Sequence, residues 1–355
     1  MKTRRCKEQT VHLGIIGCGV LGMQHAEALH RNPKARLVAF CNRSSGKAER
    51  ACAKFGGEYH ATDARRLFED ERLDAVVIAT HHDSHAPLCI AAARHGKHML
   101  VEKPLALTVD ECTQIVRAVE NAGVKCMVAF KLRYSPTVQR AQQLLPQPQL
   151  LVGRMVDDRW PDNHWAQDPH TGGGNIRSQG CHIVDLLCYL AGAPPVRVYA
   201  EAASLTHPRH ACPDQMVATI RFENGSLASW IQGDSGTAAR GSKFSLELHG
   251  EGQNAIEIYD RLKSATIRSG DRVEELHGDA EEGLQLQDDE FVDCLLRDVE
   301  PSCGPRDGWR AAVVTEACLA ACRSGRSQTI PDLGTTPRSR RAGRTSVLAR
   351  VFGGR

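Results

Sequence analysis

Three glycines, Gly17, Gly19 and Gly22, stand between a short apolar run at 11–16 (VHLGII) and a segment with helical spacing at 23–31. An apolar strand that turns at once into a helix over G-x-G-x-x-G leaves few folds open. The first glycine makes the tight turn. The second lets a pyrophosphate approach the backbone, and the third lets helix and strand pack closely. Val20 and Leu21 then open a helix whose free N–H groups and positive dipole end face the phosphates. Further apolar runs at 35–41, 73–80, 98–104 and 125–131 alternate with helical segments at 46–56, 85–96 and 108–123, the last with Thr108 as N-cap and Gly123 as its stop. Continuous apolar strands in a βαβ rhythm indicate a parallel sheet covered on both faces. The sequence therefore predicts an α/β Rossmann domain over residues 11–130 that binds NAD(P).

The rhythm changes after residue 131. Residues 216–234 read as two strands about Asn224-Gly225, a hairpin signal. "KFSLELHG", "NAIEIYD" and "SATIRSG" read as further strands, and "DDEFVDCLLRDV" and "DGWRAAVVTEACLAACRSG" as closing helices. This predicts a substrate-binding α+β domain over 131–333 with an open, mostly antiparallel sheet. Residues 1–10 form an N-terminal extension. From 334 to 355 periodicity is absent and six arginines occur without an acid, which predicts a basic, disordered tail.

A chain of 355 residues suits two domains. Its formal charge of +3 favours no nucleic-acid partner. The 14 cysteines are scattered, mostly inside apolar runs, and form no Cys-x-x-Cys pair. That suits reduced, buried thiols in a cytoplasmic protein. No apolar segment follows the basic N-terminus as a signal peptide would require, and no run is long enough to span a membrane.

Twenty residues beyond Gly22, an NAD enzyme places an acid on the ribose 2′-OH. Here the position holds Asn42, followed by Arg43 and, one turn on, Lys47. Loss of the acid removes repulsion from a 2′-phosphate, and the two cations pair with it. NADP is therefore favoured, with NAD as the alternative.

Glu102-Lys103-Pro104 ends a strand on the side where doubly wound sheets bind ligands. A second conspicuous segment, "GGGNIRSQGCHIVDLL", delivers His182 to the start of a helix. With "GIIGCGVLGMQHAEAL", "AVVIATHHDSHAPLCIAAARHGKHMLVEKPLALT", "FKLRYSP" and "FENGSLASW", these segments make the chain resemble the glucose–fructose oxidoreductase / inositol dehydrogenase / MocA (Gfo/Idh/MocA) family. The resemblance implies a dehydrogenase or reductase acting on a sugar, cyclitol or related polyol that lies between nicotinamide and sheet. It implies catalytic roles for Lys103 and His182, and a peptide before Pro104 that is often cis. A histidine titrates near working pH without assistance, which suits a general base. The resemblance further implies a substrate contact from Tyr134 and cofactor contacts from Thr80, His82, His85, Glu102, Lys103 and Arg133; Ser178 can hydrogen-bond a sugar hydroxyl, and the aromatic face of Trp165 suits a sugar ring. It also implies a homo-oligomer, dimer or tetramer.

The chain departs from the family pattern at several points. Ser178 replaces the usual Asp four residues before the histidine, where i and i+4 would share a helical face. Asp185 is then a candidate to orient the His182 ring. Thr80-His81-His82 replaces Thr-Pro-Asn, and Trp165-Ala166 replaces Trp-Arg. Trp160, Asp162, His164 and Trp165 make a polar-aromatic loop before the glycines. His81, His82, Asp83 and His85 match no compact zinc spacing, so no metal is expected. Ser178 also keeps open a sensor that binds nucleotide without turnover. Other substrates, an imine, a dihydrodiol or an anhydro-ketose, stay open as well.

Overall fold

The computed structural model describes residues 10–236, 243–278 and 282–335. Residues 1–9 of the extension and 336–355 of the tail lie outside the described residues. The first sheet uses β1 (Val11–Ile16), β2 (Ala35–Cys41), β3 (Tyr59–Ala61), β4 (Ala75–Ile78), β5 (His98–Val101) and β6 (Cys126–Val128). Its order is β3-β2-β1-β4-β5-β6 and every pair is parallel. Helices α1 (Val20–Arg31), α2 (Ser45–Phe55), α3 (Arg65–Phe68), α4 (His85–Arg94) and α5 (Val109–Ala122) provide the crossovers. The buried side chains of β1, β4 and β5 are all apolar, mostly Leu, Ile, Val and Met, as a sheet covered on both faces demands. α5 starts where the sequence predicts: Thr108 Oγ1 accepts the Glu111 N–H, and Glu111 reaches back to the Thr108 N–H, both at 3.1 Å. This capping box satisfies two donors that the helix end leaves free.

The second sheet follows α6 (Pro136–Leu144). Its early elements are β7 (Leu150–Val156), α7 (Gly174–Ser178), α8 (Gly180–Ala191), β8 (Pro195–Ala203), β9 (Gln215–Phe222) and β10 (Leu227–Gly233). Then come β11 (Phe244–His249), β12 (Asn254–Tyr259), β13 (Ser264–Ser269), β14 (Arg272–His277), α9 (Glu282–Arg297), α10 (Pro305–Ser324) and β15 (Gln328–Thr329). The nine strands run β14-β13-β12-β11-β7-β10-β9-β8-β15, antiparallel except at β7–β10. The hairpin expected at 216–234 is present as β9 and β10, closed by the Gly225 turn. Strands β3, β7, β8 and β14 carry no strong local signal; β14 is exposed along most of its length and exists through its pairing with β13.

α8 lies on the inner face of β7 and β10. Gly153 permits this approach, since a Cβ there would stand 2.6 Å from Ile183 and 3.1 Å from Leu187. The closing helices return to the first sheet. Phe291 and Val292 of α9 join the core that contains Ala26 and Leu29 of α1. Trp309 of α10 donates its indole N–H to Thr113 of α5 at 3.0 Å. α10 also packs along β8, so it touches both sheets. Among the described residues, no helix is long and apolar enough to cross a membrane.

Candidate active site

The glycine loop is shaped by contact. Gly17 has φ +100°, and a Cβ there would collide with the Ala79 carbonyl at the end of β4. A Cβ on Gly22 would collide with the Gly17 carbonyl, so α1 packs against its own entry turn only with glycine there. Around Gly19 a Cβ would meet nothing within 4 Å. Gly19 caps α1, whose first turn contains no acid and whose Val20 is exposed. An open backbone beside free helical N–H groups fits a pyrophosphate.

At the end of β2, Asn42 is tied to this loop. Its Oδ1 accepts the Cys18 N–H at 3.1 Å and its Nδ2 donates to the Ser44 carbonyl at 3.2 Å. Arg43 and Lys47 stay exposed beside it. His81 joins them: burial lowers its pKa, and the charges of Arg43 and Lys47 are near enough to add to the depression.

His182 sits in the first turn of α8 with 5% exposure. Burial, followed by the positive charges of Lys103, Lys131 and Lys243, holds its pKa well below 6.5. It is a neutral imidazole, edge-on to Phe130 and Phe244, with Nδ1 buried and unpartnered. Lys103, at the end of β5, is 7% exposed. Its Nζ donates to the Ser178 carbonyl at 3.1 Å, and the Lys103–Pro104 peptide is cis. The fold thus gathers a buried ammonium and a neutral imidazole from opposite sheets.

Several expected contacts are placed differently. Ser178 and His182 do not share one continuous helical face, because α7 ends at Ser178 and Gln179 separates it from α8. Ser178 holds Lys103 through its carbonyl, while its hydroxyl meets only Gln179 Nε2 at 3.5 Å. Asp185 does not orient His182; it receives Arg133 Nε and Nη2 at 2.7 and 2.5 Å. Arg133 also reaches the Ser302 carbonyl and Asp307, so its donors are committed inside the protein. Burial opposes the Arg133 charge, but Asp185 keeps it firmly protonated. Tyr134 is buried with its hydroxyl 3.0 Å from Ser302 Oγ.

The histidines after β4 brace the cleft. His85 is fully buried with its ring nitrogens on the Pro104 and Thr80 carbonyls at 2.8 and 3.2 Å, joining the ends of β4 and β5. His82 Nδ1 is 2.9 Å from the Gly172 carbonyl across the two sheets. Thr80 Oγ1 accepts from Ser84 at 2.7 Å. Trp165 stacks on His81 at 4.2 Å and 5°, with His82 against its edge. One face of the indole is therefore taken by protein rather than open to a sugar ring.

Behind Lys103 lies a group that sequence reasoning missed. His25 of α1 is fully buried, with Nδ1 2.8 Å from Asp288 of α9 and Nε2 3.3 Å from Glu102. The other Glu102 oxygen accepts the Lys103 N–H at 3.0 Å. Glu102 is thus turned inward as a backbone clamp. Burial alone would lower the His25 pKa, but Asp288 and then Glu102 raise it to about 10. Burial likewise opposes the Glu102 charge, yet His25 and then Lys103 bring its pKa down to about 2. Lys243 was also missed: its Nζ donates to Asp157 at 2.7 Å, and Trp160 donates to the same oxygen at 2.9 Å. A polar residue on the buried face of α1 was the one available signal for His25. Nothing local marked Lys243.

A glycine-shaped turn ahead of α1, together with a buried lysine and a buried histidine within electrostatic reach of each other, is what a nicotinamide-dependent oxidoreductase requires. Residues 11–130 match the model described as "Oxidoreductase family, NAD-binding Rossmann fold", and 142–255 match the GFO/IDH/MocA C-terminal domain. The chain belongs to the GFO/IDH/MocA oxidoreductase family. It is 30% identical to inositol 2-dehydrogenase of Rhizobium meliloti, over 74% of this chain and 80% of that one. Against scyllo-inositol 2-dehydrogenase (NAD(+)) of Bacillus subtilis it is 28% identical, covering 90% and 95%. The fold matches levoglucosan dehydrogenase solved with NADH and levoglucosan, with TM-score 0.83, 22% identity, and coverage of 91% and 100%.

Proposed function

We propose that this chain transfers hydride between a nicotinamide cofactor and a hydroxyl-bearing carbon of a sugar, cyclitol or related polyol. The observation that carries this reading is His182: buried, neutral, with an unpartnered Nδ1 beside the Lys103 ammonium. The cradle at Gly17, Gly19 and Gly22 with Val20 and Leu21 suits the pyrophosphate, and Asn42, Arg43 and Lys47 suit the adenosine ribose. When bound, the nicotinamide supplies the hydride acceptor or donor.

The chain's own residues then do the acid–base work. Lys103 Nζ, anchored by the Ser178 carbonyl, donates a hydrogen bond to the reacting oxygen and so fixes its place. His182 takes the hydroxyl proton during oxidation and returns it during reduction. Its lowered pKa keeps it in the accepting form at neutral pH. The surrounding cations oppose the imidazolium, which favours prompt loss of that proton. NADP is the favoured cofactor, because Arg43, Lys47 and the nearby His81 line the position where a ribose 2′-phosphate adds negative charge.

The oligomer reading rests on the uncovered face of the second sheet. Tyr199, Val217, Leu227 and Leu150 are exposed there, on the same side by their cross-strand register. That face suits a second copy of the chain.

The test is incubation with NADP or NAD and a panel of inositols, aldoses and anhydrosugars, read as absorbance at 340 nm. His182→Asn and Lys103→Met are each expected to lower kcat at least about 10²-fold while cofactor binding persists. Cofactor binding without turnover on the whole panel favours the sensor reading instead.

A further inference from the structure

The loop between β8 and β9 is rigidly tied at its base. The carboxylate of Asp214, itself 2% exposed, accepts the N–H groups of Leu205, Thr206 and His207 at 3.0, 3.2 and 2.6 Å. This presents His207, also 2% exposed, between two acids. Its Nε2 is 3.0 Å from Asp234 Oδ2, and its Nδ1 is 2.9 Å from Asp162 Oδ1. A turn carries the chain on to His210, whose N–H meets the His207 carbonyl at 3.0 Å. The two imidazoles stack at 5.0 Å and 17°. His210 Nδ1 is buried without a hydrogen-bond partner. One ligand atom each from Asp162, His207 and His210 lies within 4.8 Å of the others.

The donors and acceptors of this cluster do not balance among themselves. An Nε2–H given to Asp234 leaves Nδ1 of His207 as an acceptor facing another acceptor, Asp162. A proton on Nδ1 mends that contact but leaves the buried His210 nitrogen unpaired. Buried polar atoms without partners are rare and call for an explanation. A single cation among the three side chains answers both the His207–Asp162 contact and the unpaired His210 nitrogen. We propose that Asp162, His207 and His210 form a binding site for a divalent transition-metal ion of the zinc type.

The chemistry of the set agrees. Two imidazoles and one carboxylate are common zinc ligands, and three protein ligands leave one tetrahedral position for water. At bonds of 2.0–2.2 Å, tetrahedral ligand atoms stand about 3.3–3.6 Å apart. Asp162 and His207, 2.9 Å apart, have to open slightly, and His210, within 4.8 Å of both, has at most about 1.5 Å to close. Asp234 supplies the carboxylate that fixes tautomer and orientation of a ligating histidine. Asp162 is half exposed, which gives the ion a way in. Arg159, half exposed and 2.7 Å from the same Asp162 oxygen, turns out to solvent on metal entry. The ion would staple the β8–β9 loop to segment 157–165, which carries Trp160, Trp165 and the Asp157 that holds Lys243. Its role is structural, in the wall of the cleft, and independent of the polyol reading. The spacing differs from the His81–His85 run, whose rings serve the backbone carbonyls above.

The test strips the full-length protein with a chelator and titrates it with Zn2+, using Co2+ as the spectroscopic probe. One equivalent is expected, with Co2+ giving a tetrahedral visible spectrum. His210→Gln and Asp162→Asn each weaken Zn2+ binding at least 10-fold, and Asp234→Asn weakens it 10- to 100-fold. His207→Gln abolishes binding; if that variant does not fold, His210→Gln carries the test, since its ring is only half buried. Failure of the wild type to retain Zn2+, or equal affinity in the wild type and all ligand variants, overturns the proposal. Neither result bears on polyol turnover, which is read separately.

Discussion

Removal of the His25 imidazole is the sharpest test of how the Lys103 backbone is held. The ring lies fully buried between Asp288 at 2.8 Å and Glu102 at 3.3 Å. His25→Ala leaves two buried carboxylates without their cation. Breaking a buried pair in this way costs about 3–5 kcal/mol, mostly the desolvation of charge left uncompensated. For a chain of this length the unfolding entropy is about 0.7 kcal/mol/K, so Tm should fall by about 4–7 °C. The pH dependence gives an independent reading. A histidine whose folded pKa is raised from 6.5 to about 10 contributes stability that is complete below pH 6.5 and lost as pH rises through 10. The upper limit of that contribution is about 5 kcal/mol. The variant has no such contribution to lose, so the gap between wild type and His25→Ala should narrow steadily from pH 7 to pH 10. Asp288→Asn placed in the His25→Ala background removes one orphaned charge and should recover at least about 1 kcal/mol. The assay is urea unfolding followed by circular dichroism at several pH values. A cost below about 1 kcal/mol at pH 7, or a gap unchanged up to pH 10, would refute the argument.

Three further outcomes follow from the site. The acid limb of kcat/KM should lie well below pH 6.5, because burial and three lysines depress His182; Lys103→Met should move any residual limb upward. A limb at or above 6.5 in the wild type would show that another group titrates. Arg43→Ala combined with Lys47→Ala should weaken NADP at least about 10-fold and leave NAD within about 3-fold, measured by fluorescence titration; equal losses for both cofactors would remove the 2′-phosphate assignment. Gly153→Ala forces a methyl against Ile183 and Leu187 and should cost about 1–3 kcal/mol in urea unfolding, with cofactor affinity unchanged.

Much of the architecture was legible because it is written in local patterns. The run 11–16 and the glycines that follow decide a strand, a turn and a helix within a dozen residues. The hairpin about Gly225 and the capped helix at Thr108 are equally local. Among the strands that went unread, β14 is mostly exposed polar surface that forms against β13, and β3 is three residues long. The site divides along the same line. Lys103 and His182 stand in marked segments, so both are legible as candidates. What surrounds them was not. Ser178 reads as a hydroxyl in the sequence, but the break at Gln179 turns its carbonyl toward Lys103 instead. Arg133 and Asp185 each suggested a role at the cleft, and their mutual ion pair removes both from it.

By itself, then, the sequence determined the βαβ rhythm of the first sheet, the glycine turn of a dinucleotide-binding fold and the marked segments that hold Lys103 and His182. Tertiary structure alone decided which buried charges meet. His25 and Asp288 are 263 positions apart, and only the return of α9 onto α1 brings them to 2.8 Å. Secondary structure follows short-range periodicity, whereas the energy of a buried charge depends on whatever distant group the packed chain sets beside it.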